Sequence, residues 1–576
     1  MDRRNFWTQH SPAPVSRRAL IHRMSAGGVG LAAAGILGCG RSGSGKQTAA
    51  GASGSAGTTL QPQKGGYLQH MLPYSVANLD PATTEDATGY GFVETDWYDL
   101  LVRIQYTPNP DWRILNKVIP SLAERFEQVD KTTYTFSVRQ GVKFHNGDAL
   151  SAQDVVYSYS RIKDPALKPN PSVVRYLDNI DKAEATDPYT VRLTTKRPDA
   201  DFLANISYRY ACIVSKRFVE NGGDLTKTVV GTGPFKLSSY QRDSTALAVR
   251  NPDSWLPSGS YLDGIKLVLK VDDSTMSAAF ATGDVDILIR HDRKQADPIL
   301  KANPKALTQN APADQVYGVT FNQTKPPFSD LRVRQAVHLA IDRQAADQAT
   351  NFGEGVICGP LVVVGKTGWH IPVDEMLKLP GYRQPKAQDV TEAKRLLAGA
   401  GFASGFKTTL GFSSATESQS AYAEVVQAQL KQIGIDASLQ PWDNATYTQH
   451  RAKPDHDMVI VSEGSFSSPG SVAYASFYSS GVFAKPTGVN DPDLDKLIDS
   501  QAVEFDFDKR GTIFQQIERW ILDKAYKAPI STPKLVRLNQ PWVHDWVDSK
   551  NNRATVMNPD AVWMSADQAP ASRRQV

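Results

Sequence analysis

The sequence lacks the spacings that mark common catalytic and metal centres. No Gly-x-Ser-x-Gly turn occurs to expose a serine nucleophile. His-Glu-x-x-His and Cys-x-x-Cys are both absent, so the usual zinc spacings are missing. The 10 histidines are scattered, and His450 and His456 stand too far apart for one helix turn. Gly359 to Thr367 has its glycines one residue too far apart for a phosphate-binding loop. No catalytic residue, cofactor or metal is expected, and a secreted hydrolase is a weakly supported alternative. Only 3 cysteines occur in 576 residues, too few for a disulfide framework. No dense Lys/Arg stripe with interleaved aromatics appears, and the net charge of +4 is spread along the chain, which argues against nucleic acid. The apolar run from Gly27 to Leu37 is too short and glycine-rich for a comfortable membrane span.

What is present reads as an exported globular protein. Hydrophobic residues make up 41% and charged residues 22%, an ordinary soluble composition, and the length suits two or three domains. Arg17-Arg18 precedes the apolar run, so residues 1–39 read as an export signal, with either the twin-arginine or the general route open. Ile36-Leu37-Gly38-Cys39 is similar to a lipoprotein box, which makes Cys39 the expected lipidation site. Residues 40–64 are rich in Gly, Ser, Ala and Thr and read as a tether. Export with a lipid anchor places the chain in the periplasm or at the cell surface.

The remainder mixes strand and helix patterns. Tyr134–Val138 and Thr190–Leu193 alternate as strands. Asp154–Ile162, Val333–Ile341, Val390–Ala400, Ala421–Ile433 and Lys509–Leu522 read as helices. Ser151 and Thr391 lie near two of the helix starts, where caps are expected. Gly141 and Gly147 bracket a turn, and Arg332, Arg334 and Asp342 suggest an ion network.

Four segments carry a family resemblance. They are Tyr134–Ser158, with its Arg139-Gln-Gly-Val-Lys-Phe144-His-Asn-Gly147 core; Gly231-Thr-Gly-Pro234, with Arg250-Asn-Pro-Asp-Ser-Trp255; Phe321–Arg343; and Ala393–Phe402, with Leu430–Ile435. Together they resemble the extracellular solute-binding proteins of the dipeptide, oligopeptide and nickel class, family 5, which serve ABC importers. The resemblance covers nearly all of the chain after Gly65. It implies an α/β fold with two lobes, of the large type II periplasmic-binding-protein kind, with an extra subdomain in lobe one. Lobe one is expected over residues 65–316 plus 525–576 and lobe two over 317–524, with Tyr317–Phe321 as a hinge strand. A monomer is expected, capturing a peptide or small molecule in the cleft and passing it to a permease and its ATPase. Cys212 and Cys358 then fall in different lobes and are expected to be free, buried thiols.

The same resemblance implies ligand contacts. Trp442 matches an aromatic that peptide-binding members place against the ligand. Glu463, Gly464, Ser465 and Phe466 match a loop that supplies a main-chain edge and, in those members, an aspartate for the peptide's ammonium. That aspartate is absent here, with Glu463 as a candidate stand-in. Arg290 and His291 follow a strand whose end faces the cleft, and Arg290 suits a ligand carboxylate. Asn78 and Thr84 belong to the opening loop, and Tyr176 lies near an aromatic contact. Opines, oligosaccharides and amino-acid conjugates are the alternative ligands, and a sensor or adhesin on the same fold is the alternative role.

Overall fold

A computed structural model describes residues 61–74, 78–84, 97–105, 117–256, 260–290, 293–313, 315–361, 369–464, 469–546 and 562–574. The signal, Cys39 and nearly all of the tether lie outside the described residues. Three sheets organise the rest. A seven-stranded sheet has the order Leu307–Pro312, Lys534–Asn539, Ile287–Arg290, Tyr67–Met71, Gly264–Val268, Thr245–Arg250 and Phe235–Gln241. A five-stranded sheet has the order Ile435–Trp442, Phe406–Ser413, Met458–Gly464, Gln315–Phe321 and Lys527–Pro529. A four-stranded antiparallel sheet, Ala123–Gln128, Thr133–Val138, Thr190–Thr195 and Ile180–Asp187, is inserted into the chain between strands of the first.

The helices form where apolar residues recur at helical spacing. Glu417–Lys431 buries Tyr422, Ala423, Val426 and Leu430 on one stripe against the five-stranded sheet. Ala387–Gly399 and Leu331–Ala340 join the same core through Ala393, Leu397, Val333 and Val337. Ala152–Ile162 is capped as expected: the Ser151 N–H and hydroxyl both donate to the Asp154 carboxylate, at 2.9 and 2.8 Å. Thr391 does not cap a start. The helix opens four residues earlier, at Ala387, and the Thr391 hydroxyl donates to the Ala387 carbonyl. Arg332, Arg334 and Asp342 do not form one network. Arg332 pairs with Asp330, Arg334 donates to the carbonyls of Phe328 and Lys524, and Asp342 caps Arg343–Asn351.

The chain passes between the two larger sheets twice. Gln315 and Val316 already pair with Gly464 and Glu463, so the first crossing comes between Pro312 and Gln315. Lys527–Pro529 still pairs with Gly318–Thr320, so the return is at 530–533, some residues beyond the break read at 525. Tyr317–Phe321, read as a hinge, instead lies within the five-stranded sheet with an almost wholly buried pattern. The two crossings are stitched together, with the Ala313 N–H bonded to the Pro533 carbonyl at 2.8 Å and the Thr532 hydroxyl to the Gln315 carbonyl at 2.9 Å. Cys212 and Cys358 are both buried and free.

Two of the sequence motifs meet in space. The His145 N–H donates to the Gly231 carbonyl at 2.8 Å, and its Nε2 lies 3.1 Å from the Gly233 carbonyl. Burial pushes the His145 imidazole down to about 4, so it is neutral at pH 7. Gly231 is needed for this close approach, because a Cβ there would lie 2.0 Å from the Trp97 carbonyl oxygen. Gly231→Ala is expected to cost about 2–3 kcal/mol of stability, through overpacking against backbone that cannot give way. Urea unfolding followed by tryptophan fluorescence measures it, and an unchanged midpoint would refute the contact.

Candidate functional site

In open α/β sheets, ligands bind outside the carboxyl ends of parallel strands. Tyr67–Met71 runs parallel to Gly264–Val268 and Ile287–Arg290, and Phe406–Ser413 runs parallel to Ile435–Trp442 and Met458–Gly464. Trp442 and Gly464 are the final residues of two of these strands, and Arg290 of a third. Asn78 and Thr84 follow the end of Tyr67–Met71. Five of the expected contacts thus come at or after parallel-strand ends.

Trp442 is half-buried, with its indole stacked on His450, ring centroids 4.2 Å apart. Its indole also lies over Gly411, where a Cβ would approach the indole Cη2 to 2.0 Å. His450 is itself held by Asp455, 2.9 Å from its Nδ1. The ring is therefore fixed while part of it remains exposed. Beside it, Ser413 pairs in register with Trp442, and the Ser414 N–H and hydroxyl both donate to the Trp442 carbonyl.

Glu463 is not available to a ligand, which corrects its expected role as a stand-in carboxylate. It is buried, with Lys527 Nζ at 2.8 Å and Arg451 Nη2 at 3.4 Å. Strand alternation turns its side chain toward the crossing strand. Burial pushes its carboxyl up, but Lys527 and Arg451 more than reverse this and leave it below the usual carboxylate range.

Asn78 and Thr84 serve the turn itself. Asn78 Nδ2 donates to the Thr83 hydroxyl at 2.7 Å, its Oδ1 accepts from the Asp80 N–H, and the buried Thr84 hydroxyl donates to the Asn78 carbonyl. Asp80 is clamped in turn by Arg161. His291, Ser465 and Phe466 lie outside the described residues, as does the side chain of Arg290. Directly after that strand, Arg293 reaches Glu354 at 3.1 Å and Lys294 reaches Glu417 at 2.6 Å, bridging segments that belong to the two larger sheets. Lys294–Glu417 is exposed, so it contributes at most about 1 kcal/mol, and Arg293–Glu354 is half-buried.

A cavity of about 810 Å³ lies between residues 169–205 and 470–502. One wall comes from residues next to the four-stranded sheet, including Tyr176, Asp199 and Asp201; the other comes from Gly470, Tyr474 and Asp499. Tyr176 is buried and stacks on Tyr208 at 4.2 Å, so only its edge serves the cavity. The walls are joined by a buried ion pair, Arg510 to Asp201 at 2.6 Å, and by the Ala200 N–H on the Ala502 carbonyl. Tyr176 is the one sequence candidate among its lining residues. Asp199, Tyr474 and Asp499 were missed; the charge-dense Arg197-Pro-Asp-Ala-Asp201 was the only available signal. A second hollow, about 970 Å³, lies among the helices around His338 and Thr391, away from the strand ends. Among the described residues, no group of three His, Cys, Asp or Glu could hold a metal ion, and no helix is long and apolar enough to cross a membrane.

Known proteins match this arrangement. Residues 117–485 match the model of the bacterial extracellular solute-binding proteins, family 5. Di/tripeptide-binding protein 3 of Pseudomonas aeruginosa is 28% identical over 516 residues, covering 83% of this chain and 92% of that protein. The solved structure of the Helicobacter pylori periplasmic binding protein DppA, in complex with the peptide STSA, superposes with a TM-score of 0.71 at 24% identity, covering 87% of this chain and 98% of that one. AgaA from A. tumefaciens R10, in complex with agropinic acid, gives 0.70 at 24% identity, with 87% and 99% covered. At these identities the solved structures establish the fold alone, the two-lobed α/β fold expected from the sequence.

Glu463→Gln is expected to cost about 3 kcal/mol, because it leaves the Lys527 ammonium buried without its counter-charge. The pH dependence follows from the sign of the shift. The folded carboxyl titrates below its unfolded value, so its stabilisation is complete above about pH 4.3 and is lost as pH falls through the folded value. Acid unfolding of Glu463→Gln should therefore be shallower below pH 4 than that of the wild type, and parallel curves would contradict the pairing.

Proposed function

The chain belongs to the bacterial extracellular solute-binding proteins, family 5, and on that premise we propose that it captures a peptide between its lobes and delivers it to an ABC importer. The observation that carries the reading is the placement of a fixed, partly exposed indole, Trp442, at a parallel-strand end, in a chain similar to di/tripeptide-binding proteins. Peptide backbones are recognised by a main-chain edge together with aromatic contact. The end of Met458–Gly464 offers such an edge beside Trp442.

Delivery is conformational. The lobes turn about the crossings that follow Pro312 and Pro529, and ligand binding shifts an open–closed equilibrium. The ion pairs of Arg293 and Lys294 across the sheets are weak enough to make and break during this motion. The protein acts as a lipid-anchored monomer held outside the membrane through Cys39, with permease and ATPase subunits as partners. A second reading, a non-peptide solute, is favoured by the engagement of Glu463 inside the fold, which leaves a peptide ammonium without that carboxylate.

Native mass spectrometry of the purified protein, then denaturation to release any ligand, distinguishes these. A family of peptide masses is the expected result; a single non-peptide mass would overturn the peptide reading and leave the binding-protein class intact. By calorimetry, Trp442→Ala should weaken binding of a released ligand about tenfold or more, as expected for loss of an aromatic anchor. Unchanged affinity would remove Trp442 from the site. On detergent phase separation of cells, the wild type should enter the detergent phase and Cys39→Ser the aqueous phase; identical partitioning would contradict the anchor.

A further inference from the structure

The cavity lined by Tyr176, Asp199 and Tyr474 joins an exposed aromatic side chain to four carboxylates, of which two have an ion-pair partner. Tyr474 and Val482 line it while 40% and 60% exposed, an unusual state for large apolar side chains in a hollow of about 810 Å³. Tyr474 is held in place by stacking on Tyr478, with ring centroids 4.6 Å apart. Asp499 shares the wall of Tyr474, and Asp178, Asp199 and Asp201 lie on the facing one. Asp201 is matched by Arg510, and Asp178 by Lys196 at 3.1 Å. Asp199 and Asp499 form no ion pair with any lysine or arginine among the described residues.

Asp199 accepts from the Asp201 N–H at 2.9 Å and from Asn179 Nδ2 at 3.2 Å; Asp499 accepts from the Tyr478 hydroxyl at 3.2 Å. Each carboxylate has lone pairs to spare for further donors. The nearby guanidinium of Arg510 is already engaged by Asp201 and Gln501. Burial and the adjacent charge of Asp201 push the Asp199 carboxyl up, the state that an added cation relieves. Arg197 is the single cationic side chain on the lining, against four carboxylates.

Resting on the peptide reading above, we propose that this cavity is a side-chain subsite for a lysine or arginine of the captured peptide. The cationic head would lie between Asp199 and Asp499, and its methylene stem along Tyr474. A long cationic side chain suits these walls because its stem is apolar and its head charged. An aromatic face close to the cation adds attraction. An acidic side chain would meet repulsion from the same groups, and an aliphatic one would leave the carboxylates unpaired.

The test is calorimetry with the whole protein and a panel of tripeptides, Ala-Lys-Ala, Ala-Arg-Ala, Ala-Leu-Ala and Ala-Glu-Ala, with cadaverine as a non-peptide cation. Lysine and arginine peptides should bind about tenfold tighter or more than the leucine peptide, as one partly desolvated charge pair allows. Asp199→Asn and Asp499→Asn should each bring that ratio down to about threefold or less, leaving the leucine peptide's affinity in place. If Asp199→Asn fails to fold, Asp499→Asn and the wild-type ratio still decide. Equal affinities across the panel, or a ratio unchanged in the variants, would overturn the subsite while leaving the peptide reading standing. Binding of cadaverine without any tripeptide would overturn the peptide reading and retain a cation site. Binding of none would overturn both.

Discussion

The buried ammonium of Lys527 constrains the centre of this molecule. Its side chain is fully enclosed, and an enclosed cation without a counter-charge costs several kcal/mol. Glu463 meets it at 2.8 Å, while the carbonyls of Val316 and Pro360 lie at 3.4 Å. The contact thus ties together the strand that returns toward the seven-stranded sheet, the strand that arrives from it, and the strand that runs to Gly464. Arg451, the last residue of the helix Asn444–Arg451, also meets Glu463, at 3.4 Å. None of these strands can slide past another without separating charges in a low-dielectric interior. The edge that ends at Gly464 therefore has a fixed height relative to the crossings.

That rigidity decides where motion can occur. The sheets are held internally by ladders and by apolar cores such as the one beneath Tyr317, Val319 and Phe321. Ala313 and the stretch 530–533 lie outside any strand, so among the described residues of the crossings they are positions able to absorb dihedral change. Of the contacts that span the sheets after Arg290, Lys294–Glu417 is exposed and Arg293–Glu354 half-buried, so they contribute little and reform easily. Beside the cavity the linkage is stronger, because Arg510 and Asp201 are buried together. Movement of that wall carries a larger cost than movement at Lys294 and Glu417.

The elements legible in the sequence were those governed by local rules. Helical stripes such as Tyr422–Val426–Leu430 follow from periodicity, and the Ser151–Asp154 cap and the turns at Gly141 and Gly147, with φ of 76° and 90°, follow from residue chemistry. Thr391 shows the limit of such rules, since a threonine inside a helix can satisfy its hydroxyl on the preceding turn. Strand ends were less so: Glu463 and Gly464, read as part of a loop, belong to the strand Met458–Gly464. The partner of Glu463 was not legible, because Lys527 is 64 residues away and no local pattern connects them. The cavity escaped notice for the same reason. Asp199 and Tyr474 become neighbours only when the inserted four-stranded unit meets the helices after Gly464.

These distances in sequence bear on how such a protein can be selective. A main-chain edge and an indole face treat all peptide backbones alike, so under the proposed peptide reading the strand ends would supply affinity without much choice of side chain. Trp442 is further limited by its own seat. Gly411 beneath it and His450 against it leave the ring little freedom to adapt. Selectivity must then arise from groups that meet the ligand away from the shared edge, where unpaired charges or a shaped wall can reject the wrong side chain. Asp199 lies in a loop and Tyr474 on the short helix Pro469–Phe477. Neither touches Lys527 or Glu463. The architecture therefore separates an edge locked by a buried charge from a wall that the lock does not reach.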